Sequence, residues 1–171
     1  LRRLSAELHL RGRALTNLGD VDTQTVAGAL ATGTHGTGAA FPNLSAAMVG
    51  GRLVGADGTV HDLGSGDADL LLAARVSLGA LGVLSEVHLQ TVPAFRLHKV
   101  ERPRPLADLL ADVDGLVAGG DHVELSALPW SPTALLLTSR RSDEAAAPQA
   151  RWRPSSPDEL PNNLVPGPPS A

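Results

Sequence analysis

The chain lacks cysteine and tyrosine altogether, and aromatic residues make up only 2% of its 171 residues. Without cysteine there are no disulfides, no zinc–thiolate or iron–sulfur ligands and no thiol nucleophile. With so few aromatic rings, the platforms on which unpaired bases stack are also missing. The core must therefore be built from small aliphatic side chains.

Excess positive charge and long apolar runs are lacking as well. The formal net charge is −4 at pH 7, so no global basic field attracts nucleic acid or an anionic membrane surface. Gly, Asp, Arg or His interrupts every apolar stretch before it reaches the roughly 20 residues that span a bilayer. We expect a cytoplasmic protein with a small-molecule partner and without nucleic acid; the composition does not define an oligomeric state.

The pattern of apolar residues predicts an α+β fold in which hairpins and helices interleave without regular strand–helix alternation. Asp57-Gly58 between two apolar runs predicts a hairpin of residues 48–54 and 59–63. We predict helices over residues 1–8, 24–30, 70–76 and 106–117, the second capped by Asp20 or Asp22 and the third by residues 66–69.

Extended segments are predicted over residues 13–15, 81–92, 121–125 and 133–138. In the longest of these, Val83, Ser85, Val87 and Leu89 alternate with Leu84, Glu86, His88 and Gln90, so one face should be apolar and the other mixed. Pro93, Pro103 and Pro105 indicate a crossing segment with a domain boundary near Pro103.

The end of the chain has a different composition. Seven of the thirteen prolines lie between Pro148 and Pro169, among Ser, Asn and Gly. Such a segment buries too little apolar surface to order itself. Residues 143–171 are therefore predicted to be a disordered tail.

The loop of residues 32–38, Thr-Gly-Thr-His-Gly-Thr-Gly, carries the strongest candidate for chemistry. Its glycines allow backbone N–H groups to converge on phosphate oxygens, and His35 adds a ring that donates to an anion or packs on a flat cofactor. An ordinary Gly/Thr-rich turn fits the same residues. A Walker loop is excluded because no Gly-Lys-Ser/Thr follows, and a Rossmann fingerprint fits badly because the loop follows a helix.

The sequence contains no motif of a metal site or of a serine hydrolase. There is no His-x-x-x-His or His-x-His spacing, so no metal site is predicted. Ser77 and Ser85 lack a Gly-x-Ser-x-Gly elbow. No catalytic residue is assigned.

Residues 17–20, 22–29 and 32–38 together resemble the second half of the FAD domain in the vanillyl-alcohol-oxidase-like (PCMH-type) superfamily. Within it they resemble the aldonolactone and alditol oxidases, including L-gulonolactone and D-arabinonolactone oxidases. Residues 53–58 and 74–87 resemble the next two blocks in the same order. The resemblance implies a partial FAD-binding domain over residues 1–102, the start of a substrate domain over 103–142, and the tail.

The resemblance implies contacts with FAD near its pyrophosphate and ribityl chain, largely through backbone atoms, from Gly33, Thr34, His35 and Gly36. Val83 would meet the adenine end of FAD through its backbone. Thr25 would lie beside the flavin ring and the substrate. From the residues alone, Thr25 is instead a helix-surface hydroxyl that bonds back to a carbonyl.

The function implied is that of an FAD-dependent oxidoreductase acting on CH–OH groups of a sugar lactone or polyol, with oxygen or another acceptor. The family's earlier Gly-rich loop and its late His-Trp block have no counterpart in these residues. The chain alone is therefore expected to be inactive. The alternatives are a non-catalytic fragment that binds a flavin, a nucleotide or a partner, and a chain that does not fold stably.

Overall fold

A computed structural model describes residues 1–64 and 66–143. All but the first residue of the predicted tail lies outside the described residues. The chain divides into two compact units, the first spanning Leu1–Ala94 and the second beginning at Phe95. The boundary predicted between residues 102 and 103 falls inside a strand that runs from Arg96 to Pro105.

The first unit combines short helices with two small antiparallel sheets. The elements of this unit are α1 (Arg2–Leu10), β1 (Arg13–Ala14), α2 (Val26–Ala31), a 3-10 helix (Leu44–Ala47), β2 (Met48–Val54), β3 (Val60–Leu63), α3 (Ala68–Arg75), β4 (Val83–Leu89) and β5 (Val92–Pro93). One sheet pairs β1 with β5, and the other has the strand order β3-β2-β4. The predicted hairpin is confirmed by the pairing of β2 with β3.

The core of the first unit consists of aliphatic side chains, as the composition predicts. Leu30, Met48 and Leu53 are its largest fully buried residues. Leu4 and Leu8 of α1 pack against it. Asp67 caps α3, and its carboxylate accepts a hydrogen bond from the Leu70 N–H at 2.8 Å.

The predicted alternation along β4 is wrong at its start. Arg52 pairs with Glu86, but the next residue, Leu53, pairs with Leu84, so Ser85 is an extra residue in the ladder. Such a bulge reverses the side on which the preceding residues lie. Leu84 therefore packs against the core together with Val87 and Leu89, while Val83 is 68% exposed.

The elements of the second unit are β6 (Arg96–Pro105), α4 (Leu106–Ala111), α5 (Val113–Ala118), β7 (His122–Ala127) and β8 (Thr133–Ser142). Its three strands form an antiparallel sheet with the order β6-β8-β7. The segment between the prolines, predicted as a crossing, is the edge strand β6. Pro103 and Pro105 are tolerated there because an edge strand has an open side that needs no N–H donor.

The single helix predicted over residues 106–117 is wrong. The chain leaves the helical conformation at Asp112, where φ is −142° and ψ is 53°. The Asp112 carboxylate accepts a hydrogen bond from the Gly115 N–H at 3.1 Å and so caps a second helix. Aspartate competes with helical backbone bonds in this way, which is why it favours helix starts over interiors. No helix within the described ranges is long and apolar enough to cross a membrane.

The bulge at Ser85 predicts unequal effects of truncating two neighbouring residues. We expect Leu84→Ala to lower the free energy of unfolding by roughly 1–2 kcal/mol, because this half-buried side chain loses core contacts. Val83→Ala should change it by about 0.5 kcal/mol or less, since Val83 faces solvent. Urea denaturation followed by far-UV circular dichroism measures both. A larger loss for Val83→Ala would contradict the bulge.

Candidate functional site

The helix that leads into the glycine-rich loop begins at Thr25. Thr25 is the N-cap of α2, and its Oγ1 accepts a hydrogen bond from the Gly28 N–H at 3.0 Å. The predicted caps Asp20 and Asp22 are therefore wrong. Asp22 instead accepts two hydrogen bonds from the Arg2 guanidinium, at 2.8 and 2.9 Å, and these lower the pKa of the Asp22 carboxyl.

The first half of the loop is tied to elements on both sides. Gly33 has a φ of +64°, which turns the chain out of α2. The Thr34 N–H then donates to the Ala29 carbonyl at 3.0 Å, and the Thr34 carbonyl accepts from the Leu44 N–H at 2.8 Å. The Gln24 side-chain amide donates to the Thr34 hydroxyl at 3.1 Å. Thr34 is thus fixed through its backbone and its side chain.

The second half of the loop lies directly against residues 17–19. A Cβ at Gly36 would overlap the Leu18 carbonyl oxygen and would lie 2.7 Å from the Asn17 Oδ1. The Asn17 side-chain amide donates to the Thr37 carbonyl at 3.1 Å. Only glycine permits this approach of two backbones, so Gly36 has a packing role in addition to the predicted cofactor contact.

Donor groups remain available on the outer side of the loop. His35 is exposed, and its Nδ1 donates to the Gly36 carbonyl at 2.9 Å, which leaves its Nε2 for another partner. In the part of the chain that the structure describes, the backbone N–H groups of His35 and Gly36 donate no hydrogen bond. Two adjacent N–H groups beside glycines are the arrangement that binds phosphate oxygens in other loops.

A second turn, residues 77–82, approaches the same loop. The Leu78 N–H donates to the carbonyl of Ala31, the last residue of α2, at 3.0 Å. Both methyl groups of Val76 lie near the position that a Cβ of Gly33 would take, at 3.5 and 3.8 Å. Val83 follows this turn at the start of β4, opposite Val54.

The sequence-predicted residues thus fall into three places. Gly33, Thr34, His35 and Gly36 are consecutive in the loop after α2, Thr25 lies at the other end of this short helix, and Val83 lies on the strand after the second turn. The cofactor and substrate contacts of all six stay predictions. Among the described residues, no cluster of three His, Cys, Asp or Glu side chains is placed to hold a metal ion.

Two residues that support the loop had no predicted role. Asn17 holds Thr37, and Gln24 holds Thr34, each through a side-chain amide. For Asn17, the only signal in the sequence was its position in the turn-forming residues 17–20. Nothing in the sequence pattern marked Gln24, because its partner lies ten residues away across a helix.

Comparison with known proteins agrees with this arrangement. Residues 1–64 match the family described as FAD binding domain, and residues 87–165 match the family described as D-arabinono-1,4-lactone oxidase. The chain is 51% identical over 153 residues to an L-gulono-1,4-lactone dehydrogenase of Mycobacterium tuberculosis, covering 90% of this chain and 35% of that one. The chain is thus similar to a flavin-binding domain in its first part and to D-arabinono-1,4-lactone oxidases in its second.

A second relative and a solved structure are similar to this chain over nearly the same extent. L-gulonolactone oxidase of Mus musculus is 34% identical over 150 residues, which cover 87% of this chain and 34% of that one. A cholesterol oxidase variant from Brevibacterium sterolicum matches with a TM-score of 0.74 at 18% identity, covering 84% of this chain and 31% of its own. This likeness confirms the PCMH-type α+β fold. The chain spans about a third of the length of these relatives.

FAD is the cofactor named by the family match over residues 1–64. The loop suits an anionic group of FAD because it has an exposed imidazole and, among the described residues, two adjacent backbone N–H groups that donate no hydrogen bond. The hydroxyls of Thr32 and Thr34 are already engaged, by the Gly28 carbonyl and by Gln24.

Adding one methyl group to the loop tests its close packing. We expect Gly36→Ala to lower the free energy of unfolding by about 1–3 kcal/mol, because the Cβ overlaps a backbone carbonyl that cannot move freely. Gly55→Ala is the matched control, since its nearest obstacle is the flexible end of the Asp57 side chain at 3.0 Å. Urea denaturation compares the two. Equal stability of both variants would rule out the packing described.

Substitutions at Thr25 separate its cap from the implied flavin contact. Thr25→Asp keeps a capping oxygen and should leave the stability within about 0.5 kcal/mol, whereas Thr25→Ala should cost about 1 kcal/mol. If the side chain lies beside the flavin, the buried carboxylate should weaken FAD binding by about tenfold or more. Flavin fluorescence titration measures this. Unchanged FAD affinity in Thr25→Asp would exclude the contact.

Proposed function

We propose that this chain provides the FAD-binding loop and the beginning of the substrate domain of an oxidoreductase that acts on a CH–OH group of a sugar lactone. The observation that carries the proposal is the loop of residues 32–38. Asn17 and Gln24 fix Thr37 and Thr34, and the N–H groups of His35 and Gly36 between them donate no hydrogen bond within residues 1–64 and 66–143. A loop fixed before binding loses little conformational entropy when it takes up a ligand.

The residues of this chain would hold FAD chiefly through its phosphates. When bound, FAD supplies the acceptor for the hydride that leaves the carbon bearing the hydroxyl group, chemistry that no side chain provides. The N–H groups of His35 and Gly36 would donate to the pyrophosphate oxygens. His35 would add its Nε2, which is a donor in the protonated form of the ring.

Thr25 would contribute from the other end of α2. Its oxygen already accepts from the Gly28 N–H, so its own O–H remains as a donor toward a flavin or substrate oxygen. Because this cap fixes the side chain, Thr25 would hold such a donor in one orientation. This contact would position the hydroxyl-bearing carbon and not transfer its proton.

The proposed substrate is an aldono-1,4-lactone, in preference to an open-chain polyol. The names of the matching relatives and family support this choice, since they specify L-gulono-1,4-lactone and D-arabinono-1,4-lactone. The electron acceptor would be oxygen or another oxidant, because the relatives are named both as oxidase and as dehydrogenase.

A titration followed by nuclear magnetic resonance tests the cofactor site. We expect FAD, added to the isotope-labelled 171-residue chain, to shift the amide signals of His35 and Gly36 and to leave that of Gly12, in the turn that follows α1, unchanged. Inorganic pyrophosphate should shift the same two signals at higher concentration. An absence of FAD binding, or shifts confined to other residues, would contradict the proposal.

Turnover measurements address the reaction itself. The loaded chain is mixed with L-gulono-1,4-lactone, D-arabinono-1,4-lactone or a polyol, and reduction of the flavin is followed by the loss of its visible absorbance. Faster reduction by a lactone than by a polyol supports the proposed substrate. FAD binding without reduction by any of them agrees with the expected inactivity of this chain alone, whereas faster reduction by a polyol than by a lactone would contradict the proposed substrate.

A further inference from the structure

The basic side chains of β6 are concentrated on one face of the strand. Arg96, His98, Arg102 and Arg104 are separated by even numbers of residues, and β6 pairs with β8 without a bulge along its whole length. All four side chains therefore lie on the same side of the sheet, and all four residues are exposed. Arg140 of β8, also exposed, lies opposite His98 and so belongs to the same face. The four arginines form what we call the basic stripe, which extends over about 26 Å along β6.

Much of the charge of the basic stripe is not neutralised within the described residues. Arg102 and Arg104 form no salt bridge with any residue of the ranges 1–64 and 66–143. The acidic residue of β6, Glu101, lies on the opposite face, where it forms a salt bridge with the neighbouring lysine at 2.7 Å. Arg140 donates to the Gly119 carbonyl, which carries no net charge. Arginines held this close repel one another, and a partner with negative charge would relieve the repulsion.

The chain that follows β6 has the opposite charge. Residues 105–139 contain no Lys or Arg. Their acidic residues are Asp108, Asp112, Asp114, Asp121 and Glu124. Asp108 and Asp114 lie in the first turns of α4 and α5, are exposed, and form no salt bridge with another described residue. The second unit thus has a basic strand followed directly by acidic helices, and the two charges do not pair with each other.

The same two helices expose apolar side chains. Leu110 of α4 is 62% exposed, and Val113 and Val117 of α5 are each 39% exposed. Together with Asp108 and Asp114 they form what we call the acidic helix surface. Apolar side chains bordered by charged ones are typical of protein interfaces. The aliphatic stems of arginine side chains pack readily on such a surface while their guanidinium groups reach the carboxylates.

We propose that the basic stripe of one copy of this chain binds the acidic helix surface of a second copy. Because α4 begins directly after β6, the two surfaces are neighbours, and a twofold axis would place each against its counterpart in the partner. The charges would set the orientation, and the apolar side chains would supply buried area. The contact would be made by side chains and would add no strand to the sheet.

A second copy fits the stripe better than an anionic membrane or a nucleic acid does. The acidic helix surface next to the stripe would be repelled by either of these polyanions, whereas self-association uses both charges. The association does not involve FAD, so it is independent of the proposed function.

Sedimentation velocity of the full chain over a range of protein concentrations tests the proposal. We expect a dimer that weakens as the salt concentration rises, because salt screens exposed charges. Arg102→Glu with Arg104→Glu should weaken self-association by about tenfold or more, and so should Asp108→Lys with Asp114→Lys, since each change places like charges opposite one another. Arg3→Glu, which reverses an exposed arginine of α1, is the control and should leave the dimer unchanged.

Mixing the two double variants separates a specific contact from an effect of net charge. Each variant alone opposes like charges, but the mixture restores opposite charges at both contacts and has the average net charge of the original chain. Restored association supports the proposal. A mixture that stays monomeric, or an original chain that is monomeric at every concentration, overturns it. Far-UV circular dichroism checks that the variants fold, and Arg102→Lys with Arg104→Lys should retain the dimer.

Vesicles of phosphatidylserine test the other anionic partner. Binding of the chain to these vesicles through Arg102 and Arg104, without self-association, would assign the stripe to a lipid surface and overturn the proposal. Titration with FAD, followed by the amide signals of His35 and Gly36, is a separate measurement. A monomer that binds FAD would therefore leave the proposed function intact, and a dimer that binds no FAD would do the reverse.

Discussion

The contact between the Gly36 backbone and the Leu18 carbonyl constrains the rest of the candidate site. It requires a residue without a Cβ, and it brings the segment after β1 against the loop after α2. Asn17 and Gln24 then fix Thr37 and Thr34 on either side. These contacts fix the backbone on both sides of His35 and Gly36, whose N–H groups donate no hydrogen bond within the described residues.

Elements whose signals are local were predictable from the sequence. The Asp57-Gly58 hairpin and the Asp67 cap of α3 depend on residues within a few positions of one another. The bulge at Ser85 was not predictable, because its register is set by pairing with Arg52 and Leu53, which are distant in sequence. The break at Asp112 was missed because apolar spacing continues across it, although aspartate inside a helix was a usable warning.

In the candidate site, too, the features with a local sequence signal were predicted and the others were not. Glycine-rich composition and family resemblance indicated the loop, since both are readable in a continuous stretch of chain. Leu78 was not predicted to have a positive φ, because leucine disfavours that region and only the bond to Ala31 reveals why the conformation is adopted. The capping role of Thr25 was missed because Asp20 and Asp22 precede the same helix and aspartate is a common N-cap. The structure shows Asp22 bonded to Arg2 instead.

The prolines of β6 give the sheet of the second unit a direction of growth. Pro103 and Pro105 have no N–H, and a proline is accommodated in a strand where its nitrogen faces the open side. At these two positions β6 offers no N–H donor to a further strand, whatever side chains that strand carries. β7, at the opposite border, contains no proline. Any extension of the sheet would join at β7, and the β6 border is guarded against intermolecular pairing.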